Sequence, residues 1–391
     1  MTKEEQTVVP AIPAPPAVSV RTVHMAGLLV DVYGLDEVAT SSVSRISCLW
    51  LHHPRLRKKE VMADIAARCV DAWWKENAAS GATGEASSDV SSSGGGGGGR
   101  GLIALAFDQR NHGTRLVHEP ANGAWREGNQ THAQDMFGTI AGTVADQVVL
   151  LDSVGSYLFH DGEDGGQPRT IDHHVALGIS LGGHSVWQLM FADPRVRTGV
   201  VVVGCPDFQY LIADRAKKSK RATYLSAWEG TGDDGAPSFF GSRDFPLALV
   251  ESCRKADPKG ILFGTSSVPA PTAPASPPEA ADNGDALRQA LHDRLRGKKF
   301  LLCSGGDDKL VPYRCSEPFL QWFKEATGSL FQDEGISVDD RVYPGVGHTF
   351  SPAMVKDSIR FVVDAVASAG RGDPAAAADG TASDEQRASK I

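Results

Sequence analysis

The chain has 391 residues, enough for a large buried core, and its 41% hydrophobic and 22% charged residues are typical of a globular protein. Its formal net charge of -9 argues against nucleic acid or an acidic membrane surface as the main partner, because both require clustered positive charge. The basic cluster at residues 217–221 is short and typical of a solvated helix face or loop. The sequence has no paired metal-ligand spacing and no phosphate-binding glycine loop, so we expect neither a metal nor an organic cofactor.

Cysteine usage and the chain ends bear on localisation. None of the six cysteines forms a CxxC pair, which favours reduced thiols in a cytoplasmic protein. The first 20 residues lack the apolar core of a signal peptide, and no apolar run approaches the roughly 20 residues that a membrane span needs. The alternative is the peroxisomal matrix, because Ser389, Lys390 and Ile391 differ by one aliphatic residue from the Ser-Lys-Leu address. The oligomeric state stays open.

Composition divides the chain into ordered and disordered segments. Biased composition predicts disorder at residues 1–17, 79–100 and 370–391. Residues 18–206 and 298–369 are predicted to form the core. Residues 207–297 are rich in aromatic side chains and contain a proline-rich stretch, so we expect them to form an inserted cap with a Pro-rich loop.

Strand and helix signals alternate through the core. After a predicted hairpin at residues 19–33, the apolar runs predict strands at residues 44–51, 102–108, 174–180, 198–205, 298–305 and 336–345. Helical spacing predicts helices at residues 60–74, 134–158, 183–193, 315–326 and 351–369. Apolar strands that alternate with helices predict an α/β fold with a mostly parallel sheet covered on both faces. Such sheets bind ligands at the carboxyl ends of their strands, where we place the cap.

The stretch "VALGISLGGHS", residues 175–185, places one serine between a predicted strand and a predicted helix. Gly178 and Gly182 lie two residues to either side of Ser180, and a very tight turn requires small residues there because Cβ atoms would collide. The turn would present the Ser180 hydroxyl to a cleft and place the Leu181 N–H at a helix N-terminus, which favours an oxyanion. The pattern therefore predicts a nucleophile at Ser180 and an oxyanion donor at Leu181.

A serine nucleophile needs a base and an acid that orients the base. His348 lies in the glycine-rich stretch "YPGVGHTF" after the last predicted strand, whereas we interpret His184 as a packing or capping residue and His173 and His174 as residues that precede a strand. The candidate acids follow predicted strands. We favour Asp308 over its neighbour Asp307, and Asp207 ranks below both.

These motifs together resemble the α/β-hydrolase family, over residues 44–206 and 298–369. "GISLGGHS" resembles the nucleophile elbow of that family, "GGDDKLVP" its acid loop and "GVGH" its histidine loop, while "FDQRNHGTR" is similar to the loop after the preceding strand. The resemblance implies the α/β-hydrolase fold and, from the position of the aspartate before x-x-Val-Pro, selects Asp308 as the acid. It is nearest to the esterase, dienelactone-hydrolase-like and prolyl-oligopeptidase-like branches.

The resemblance also locates a second oxyanion donor. The family usually carries His-Gly-x after the first central strand, and this chain has "LHHPRLRKKE". Aligning residues 53–55 with that motif makes the Arg55 backbone N–H the donor and brings Lys59 and Glu60 onto a Lys-Glu pair seen in related esterases. The alternative alignment of residues 52–54 puts Pro54 at the donor position, and proline has no N–H. We therefore prefer Arg55.

The resemblance implies a serine hydrolase that cleaves a small-molecule carboxylic ester through Ser180, His348, Asp308 and an acyl-enzyme intermediate. A peptidase, a thioesterase or a C–C bond hydrolase on the same fold is the first alternative. A non-catalytic binding protein that kept the fold is the second.

Overall fold

The computed structural model describes residues 13–82, 99–159, 168–229, 239–269 and 281–369. Most of the segments predicted to be disordered, and the C-terminal tripeptide Ser389, Lys390 and Ile391, lie outside the described residues. Part of the Pro-rich loop predicted in the cap also lies outside them.

The described residues contain an eight-stranded sheet in the order β1-β2-β4-β3-β5-β6-β7-β8. Its strands are β1 Val20–Met25, β2 Leu28–Tyr33, β3 Arg45–His52, β4 Arg100–Phe107, β5 Thr170–Ile179, β6 Val196–Val202, β7 Lys299–Gly305 and β8 Ser337–Tyr343. β1 and β2 form the predicted hairpin, β2 pairs with β4 in antiparallel orientation, and the remaining neighbours are parallel. The mostly parallel sheet that the alternating pattern predicted is confirmed.

The helices in the described residues are α1 Leu35–Ala39, α2 Ala63–Ala82, α3 His132–Leu158, α4 Leu181–Ala192, α5 Phe208–Lys218, α6 Ala222–Glu229, α7 Leu247–Ala256, α8 Pro258–Phe263, α9 Ala281–Leu295, α10 Glu317–Gly328 and α11 Pro352–Ala369. Short 3₁₀ turns join several of them. The helices predicted in the core are all present, with ends that move by a few residues, and α2 differs the most.

Central strands are buried on both sides because successive side chains point to opposite faces of the sheet. In β3, Trp50 packs in one apolar cluster with Trp187 of α4, whereas Leu49 and Leu51 pack in another with Val363 of α11. All of these side chains are fully buried or nearly so. Helices therefore cover both faces, as predicted.

β5 begins four residues earlier than predicted, so His173 and His174 lie inside the strand and not before it. Ser47 Oγ lies 3.0 Å from His173 Nδ1, and Trp50 Nε1 donates to His174 Nδ1 at 3.2 Å. These side-chain contacts join β5 to β3 next to the backbone pairs of Ser47 with His173 and Cys48 with His174.

Both ends of the segment predicted to be flexible, residues 79–100, form regular structure. α2 continues to Ala82, because the alanines that follow its apolar positions favour helix over coil. β4 begins at Arg100, whose Nη1 pairs with Asp172 Oδ1 at 2.6 Å at the amino end of the sheet. The residues between 82 and 99 lie outside the described part of the chain.

α3 is the one helix in the described residues whose length and composition would allow it to cross a membrane, whereas no such segment was predicted from the sequence. Of its most apolar window, 56% is buried inside the protein. Core helices of soluble proteins meet the same two criteria, so length and composition alone are weak evidence for a span.

Helices between β6 and β7 contribute to a third apolar cluster, at the carboxyl edge of the sheet. Phe208 of α5 and Leu249 of α7 pack there with Phe137 of α3, Leu181 of α4 and Val311. α9 packs elsewhere. Its buried Leu291 and Leu295 belong to the apolar cluster that contains Trp187 of α4. The division of residues 207–297 from the core as a cap stays a prediction.

Candidate active site

Ser180 is the single residue between β5 and α4. Its φ of 55° and ψ of -110° place it in a region that non-glycine residues rarely adopt and that strained functional turns use. The Ser180 N–H donates to Val202 O at 2.8 Å, and the His184 N–H donates to Ser180 O at 3.0 Å. These two bonds hold the turn against β6 and begin α4.

Both glycines that flank the serine meet other backbone segments. A Cβ on Gly178 would overlap the carbonyl of Gly182, and a Cβ on Gly182 would overlap the carbonyl oxygen of His52 at the end of β3. Any other residue at either position would force these segments apart. The elbow therefore packs directly on the carboxyl end of β3.

The structure brings Ser180, His348 and Asp308 into one chain of contacts. His348 Nε2 lies 2.8 Å from Ser180 Oγ, and His348 Nδ1 lies 2.7 Å from Asp308 Oδ2. An ionised carboxylate only accepts hydrogen bonds, so Nδ1 donates to it, which leaves Nε2 of the neutral ring to accept the Ser180 hydroxyl proton. The Asp308 side chain is 1% exposed and the His348 side chain 21% exposed, so solvent reaches the ring and not the acid.

The loop after β7 fixes the Asp308 carboxylate. Its Oδ1 accepts the N–H groups of Leu310 at 2.8 Å and Val311 at 2.9 Å, which leaves Oδ2 for His348. The Asp307 N–H donates to Val346 O, and this bond ties the acid loop to the histidine loop. A Cβ on Gly305 would overlap the carbonyl oxygens of Val346 and Gly347, so the two loops pack backbone to backbone.

The other two candidate acids do not meet the histidine. Asp307 is exposed. Asp207 is buried at the start of α5, where its Oδ1 accepts the Tyr210 N–H at 2.9 Å and so caps the helix. Of the three candidates, Asp308 is the one in contact with His348.

The two predicted oxyanion donors lie on either side of the elbow. The Leu181 N–H is in the first turn of α4, and no acceptor for it is found within the described residues. Arg55 lies three residues beyond His52, whose backbone contacts Gly182, in the loop that follows β3. Its role as the second donor stays a prediction.

Gln109 supports this loop and was not among the residues predicted from the sequence. Its backbone N–H donates to His53 Nε2 at 3.0 Å and its side-chain amide donates to the His53 carbonyl. Its Oε1 accepts the Ser185 hydroxyl of α4 at 3.0 Å. Because Nε2 accepts, His53 carries its proton on Nδ1 and donates to Pro54 O at 2.8 Å. Burial lowers the pKa of His53 to about 4, so the ring stays neutral. The position of Gln109 directly after Asp108 in "FDQRNHGTR" was the available signal.

Asp108 anchors the start of the same loop network. It accepts the backbone N–H groups of Lys59 and Thr114, each at 2.9 Å. Burial opposes ionisation of Asp108, but these hydrogen bonds outweigh it and lower its pKa below the usual value. The Lys59 ammonium pairs with buried Asp31 of β2. Lys59, the lysine of the Lys-Glu pair that resembles related esterases, therefore forms a structural ion pair with a residue outside that motif.

His184 and the six cysteines are buried within the fold. His184 Nδ1 accepts the Cys205 N–H at 3.0 Å, and burial lowers the pKa of its ring to about 3. All six cysteines are buried and free. Among the described residues, no group of three or more His, Cys, Asp or Glu side chains is arranged to hold a metal ion.

Several solved structures align with most of this chain at low sequence identity. TT1662 from Thermus thermophilus aligns with 90% of this chain and 99% of its own at 15% identity, with a TM-score of 0.50. An esterase/lipase from an uncultured bacterium aligns with 95% of each chain at 12% identity and a TM-score of 0.42. Acetyl xylan esterase 1 from Thermoanaerobacterium sp. JW/SL YS485 aligns with 90% of this chain and 88% of its own at 14% identity and a TM-score of 0.41.

At 15% identity, the alignment with TT1662 shows the fold alone. No curated protein sequence matches the chain. The family model described as "Alpha/beta hydrolase family" matches residues 88–365, which is more than half of the chain. The chain therefore belongs to the alpha/beta hydrolase family.

Proposed function

We propose that the protein is a serine hydrolase that cleaves carboxylic esters, with Ser180 as nucleophile, His348 as general base and Asp308 as the acid that orients it. The observation that carries the proposal is the continuous contact from Ser180 Oγ through both ring nitrogens of His348 to Asp308, built on a strained turn. A serine hydroxyl is a weak nucleophile at neutral pH, and this arrangement is the means by which it is activated.

In the acylation step, His348 Nε2 takes the Ser180 proton while Oγ attacks the acyl carbon. The carbonyl oxygen gains negative charge, which the Leu181 and Arg55 N–H groups stabilise. Asp308 holds the ring in position and stabilises the imidazolium. The tetrahedral intermediate then collapses, the bond to the alcohol oxygen breaks, and the alcohol leaves with the proton from His348.

In the deacylation step, His348 Nε2 takes a proton from water and the hydroxide oxygen attacks the acyl carbon. Collapse of the second tetrahedral intermediate breaks the bond to Ser180 Oγ, which regains its proton from His348 and releases the acid. The 21% exposure of the His348 side chain supports this step, because water reaches the ring. Loss of one oxyanion donor typically lowers the rate by a factor of about 100 to 1,000.

The test is a series of 4-nitrophenyl esters of increasing acyl length, with wild type, Ser180→Ala and Ser156→Ala. Ser156 is an exposed serine on α3 and serves as the matched control. We expect Ser180→Ala to lower kcat by a factor on the order of 10⁴ or more and Ser156→Ala to retain activity.

Anilides, thioesters and diketones of matched shape separate the peptidase, thioesterase and C–C bond hydrolase alternatives. Faster Ser180-dependent turnover of any of these over the esters would overturn the ester assignment. No Ser180-dependent turnover of any substrate would favour a binding role.

A further inference from the structure

Two arginines next to the candidate active site have no carboxylate partner. Neither Arg55 nor Arg215 forms an ion pair within the described residues, and both are half-buried. Two other arginines differ: Arg221 pairs with Asp244 at 2.7 Å, and Arg314 pairs with Asp214, the residue before Arg215, at 2.6 Å. Arg55 and Arg215 therefore lack the carboxylate partner that these two other arginines have.

The two arginines flank the proposed triad. Arg55, whose backbone N–H is the predicted second oxyanion donor, lies in the loop that follows β3. Arg215 reaches from α5 to the acid loop, where its Nη2 donates to Leu310 O at 3.4 Å, two residues beyond Asp308. Both arginines therefore lie on elements that border the proposed triad.

A single short segment brings the two side chains together. Arg55 Nη1 donates to Asn122 O at 2.7 Å, and Arg215 Nη1 lies 3.5 Å from His132 Nε2. His132 in turn donates from Nδ1 to Gly123 O at 3.0 Å. Both guanidinium groups therefore border residues 122–132, and each is bonded there only to neutral acceptors.

The electrostatics of this cluster are unfavourable without a ligand. Burial and the nearby charge of Arg55 lower the pKa of Arg215 to about 10. Burial, Arg215 and Arg55 lower the pKa of His132 to about 3, so that ring stays neutral. Both arginines remain charged at neutral pH and repel each other, and partly buried charges are ordinarily paired.

The carboxylates nearby are already engaged. Asp308 accepts from His348, and Asp214 pairs with Arg314 and with Lys218 at 2.9 Å. Glu127 Oε2 accepts the Ala124 N–H at 2.6 Å. Glu127 near Arg55 and Asp308 near Arg215 favour the charged forms of these arginines, but neither carboxylate forms an ion pair with them within the described residues.

We propose that Arg55 and Arg215 bind an anionic group of the substrate, so that the preferred substrate is an ester whose acyl or alcohol part also bears a carboxylate or a phosphate. This inference rests on the proposed ester hydrolysis and names its substrate class. Guanidinium groups suit the role because their planar N–H donors match the oxygen pairs of carboxylate and phosphate.

The kinetic test compares two esters that differ mainly in charge, 4-nitrophenyl pentanoate and the mono-4-nitrophenyl ester of succinic acid. We measure the ratio of kcat/KM for the succinate ester to that for the pentanoate. Wild type is expected to favour the charged ester by about tenfold or more. Arg215→Gln is expected to lower the ratio by about 10- to 100-fold, because a hydrogen bond to a charged group is worth about 1.5–3 kcal/mol.

Matched variants separate binding of the anion from support of the fold. Arg215→Lys keeps the charge and is expected to retain part of the preference. Arg126→Gln removes an exposed arginine from the same segment and is expected to leave the ratio unchanged. If Arg215→Gln lowered both rates equally, or if wild type favoured the neutral ester, Arg215 would have only a structural role and the proposal would be wrong.

A binding measurement tests the anion site separately from catalysis. Calorimetric titration of Ser180→Ala with succinate and with inorganic phosphate is expected to show binding of at least one, lost when Arg215→Gln is added. The comparison of the two anions distinguishes carboxylate from phosphate recognition. Binding without any Ser180-dependent hydrolysis would overturn the proposed function alone, and hydrolysis without anion binding or charge preference would overturn this inference alone.

Discussion

Two charged clusters meet at the carboxyl edge of the sheet, and they differ in how their charge is balanced. In the cluster of Ser180, His348 and Asp308, each polar atom that the proposed chemistry uses has a partner within the chain. In the cluster of Arg55 and Arg215, two like charges are bonded to neutral acceptors alone. A complete cluster can carry out proton transfer by itself, whereas an incomplete one is stabilised by a ligand of opposite charge.

After Ser180→Ala, the largest expected effect comes from changing the acid of the complete cluster. In Asp308→Asn, the amide oxygen can still accept the Leu310 and Val311 N–H groups, but an NH₂ group then faces His348 Nδ1. The ring must switch its proton to Nε2 and can no longer accept from Ser180. We expect kcat to fall by a factor on the order of 10³–10⁴ in ester hydrolysis assays.

Asp307→Asn is the matched control for this variant, since it makes the same chemical change one residue away on an exposed side chain. It is expected to keep nearly full activity. Equal losses in the two variants would show that Asp308 has no specific role.

The next effect concerns the backbone that holds the complete cluster. Gly182→Ala would place a methyl group on the His52 carbonyl oxygen, so we expect a loss of several kcal/mol of stability or failure to fold. Gly138→Ala is the control, because Gly138 lies on the exposed face of α3 with open space where the new methyl group would be, and there alanine is expected to stabilise the helix by up to about 1 kcal/mol. Thermal unfolding of both variants measures the difference, and similar melting temperatures would contradict the packing argument.

The smallest expected effect concerns a group of buried carboxylates, in which negative charge exceeds positive charge. Asp207 and Asp257 are buried close to each other, with Lys259 as the nearby cation. Burial raises the pKa of Asp207, and burial together with the charge of Asp207 raises that of Asp257. Carboxylates can relieve such an imbalance by taking up a proton, whereas arginines cannot lose one near neutral pH.

Because the pKa of Asp207 is raised in the folded state, its contribution to stability is full below the unfolded pKa and is lost as the pH rises through the folded pKa. Asp207→Asn keeps the cap on the Tyr210 N–H and removes the charge. We expect it to raise the Tm by about 2 °C at pH 7.5, with the gain disappearing toward pH 4. The exposed Asp307→Asn should show no such trend, and a gain independent of pH would contradict the interpretation.

The complete cluster was foreseeable from the sequence because its requirements are local. Two glycines around a serine, an aspartate before a Val-Pro pair and a histidine in a glycine-rich loop each follow a strand that periodicity identifies. The parallel sheet brings these strand ends to one edge, and the resemblance to the α/β-hydrolase family selected Asp308 over Asp307.

The arginine pair was not foreseeable in the same way. Arg215 lies in the charged run "DRAKKSKR", yet it follows Leu211 by four residues and Ile212 by three, on the buried face of α5. That spacing was a usable signal. Its lack of a carboxylate partner depends on how Asp244 and Asp214 pair with Arg221 and Arg314, which are contacts between segments distant in sequence. Gln109 was not predicted for the same reason, because its contacts with His53, Thr143 and Ser185 join segments that are distant in sequence.

The identity of the nucleophile is tested most directly by labelling with a fluorophosphonate and mapping the adduct by mass spectrometry. We predict a single stoichiometric adduct on the peptide that contains Ser180 in the wild-type protein, much slower labelling in Asp308→Asn and none in Ser180→Ala. An adduct on another residue, or an unmodified wild-type protein under conditions that label a known serine esterase, would contradict the account.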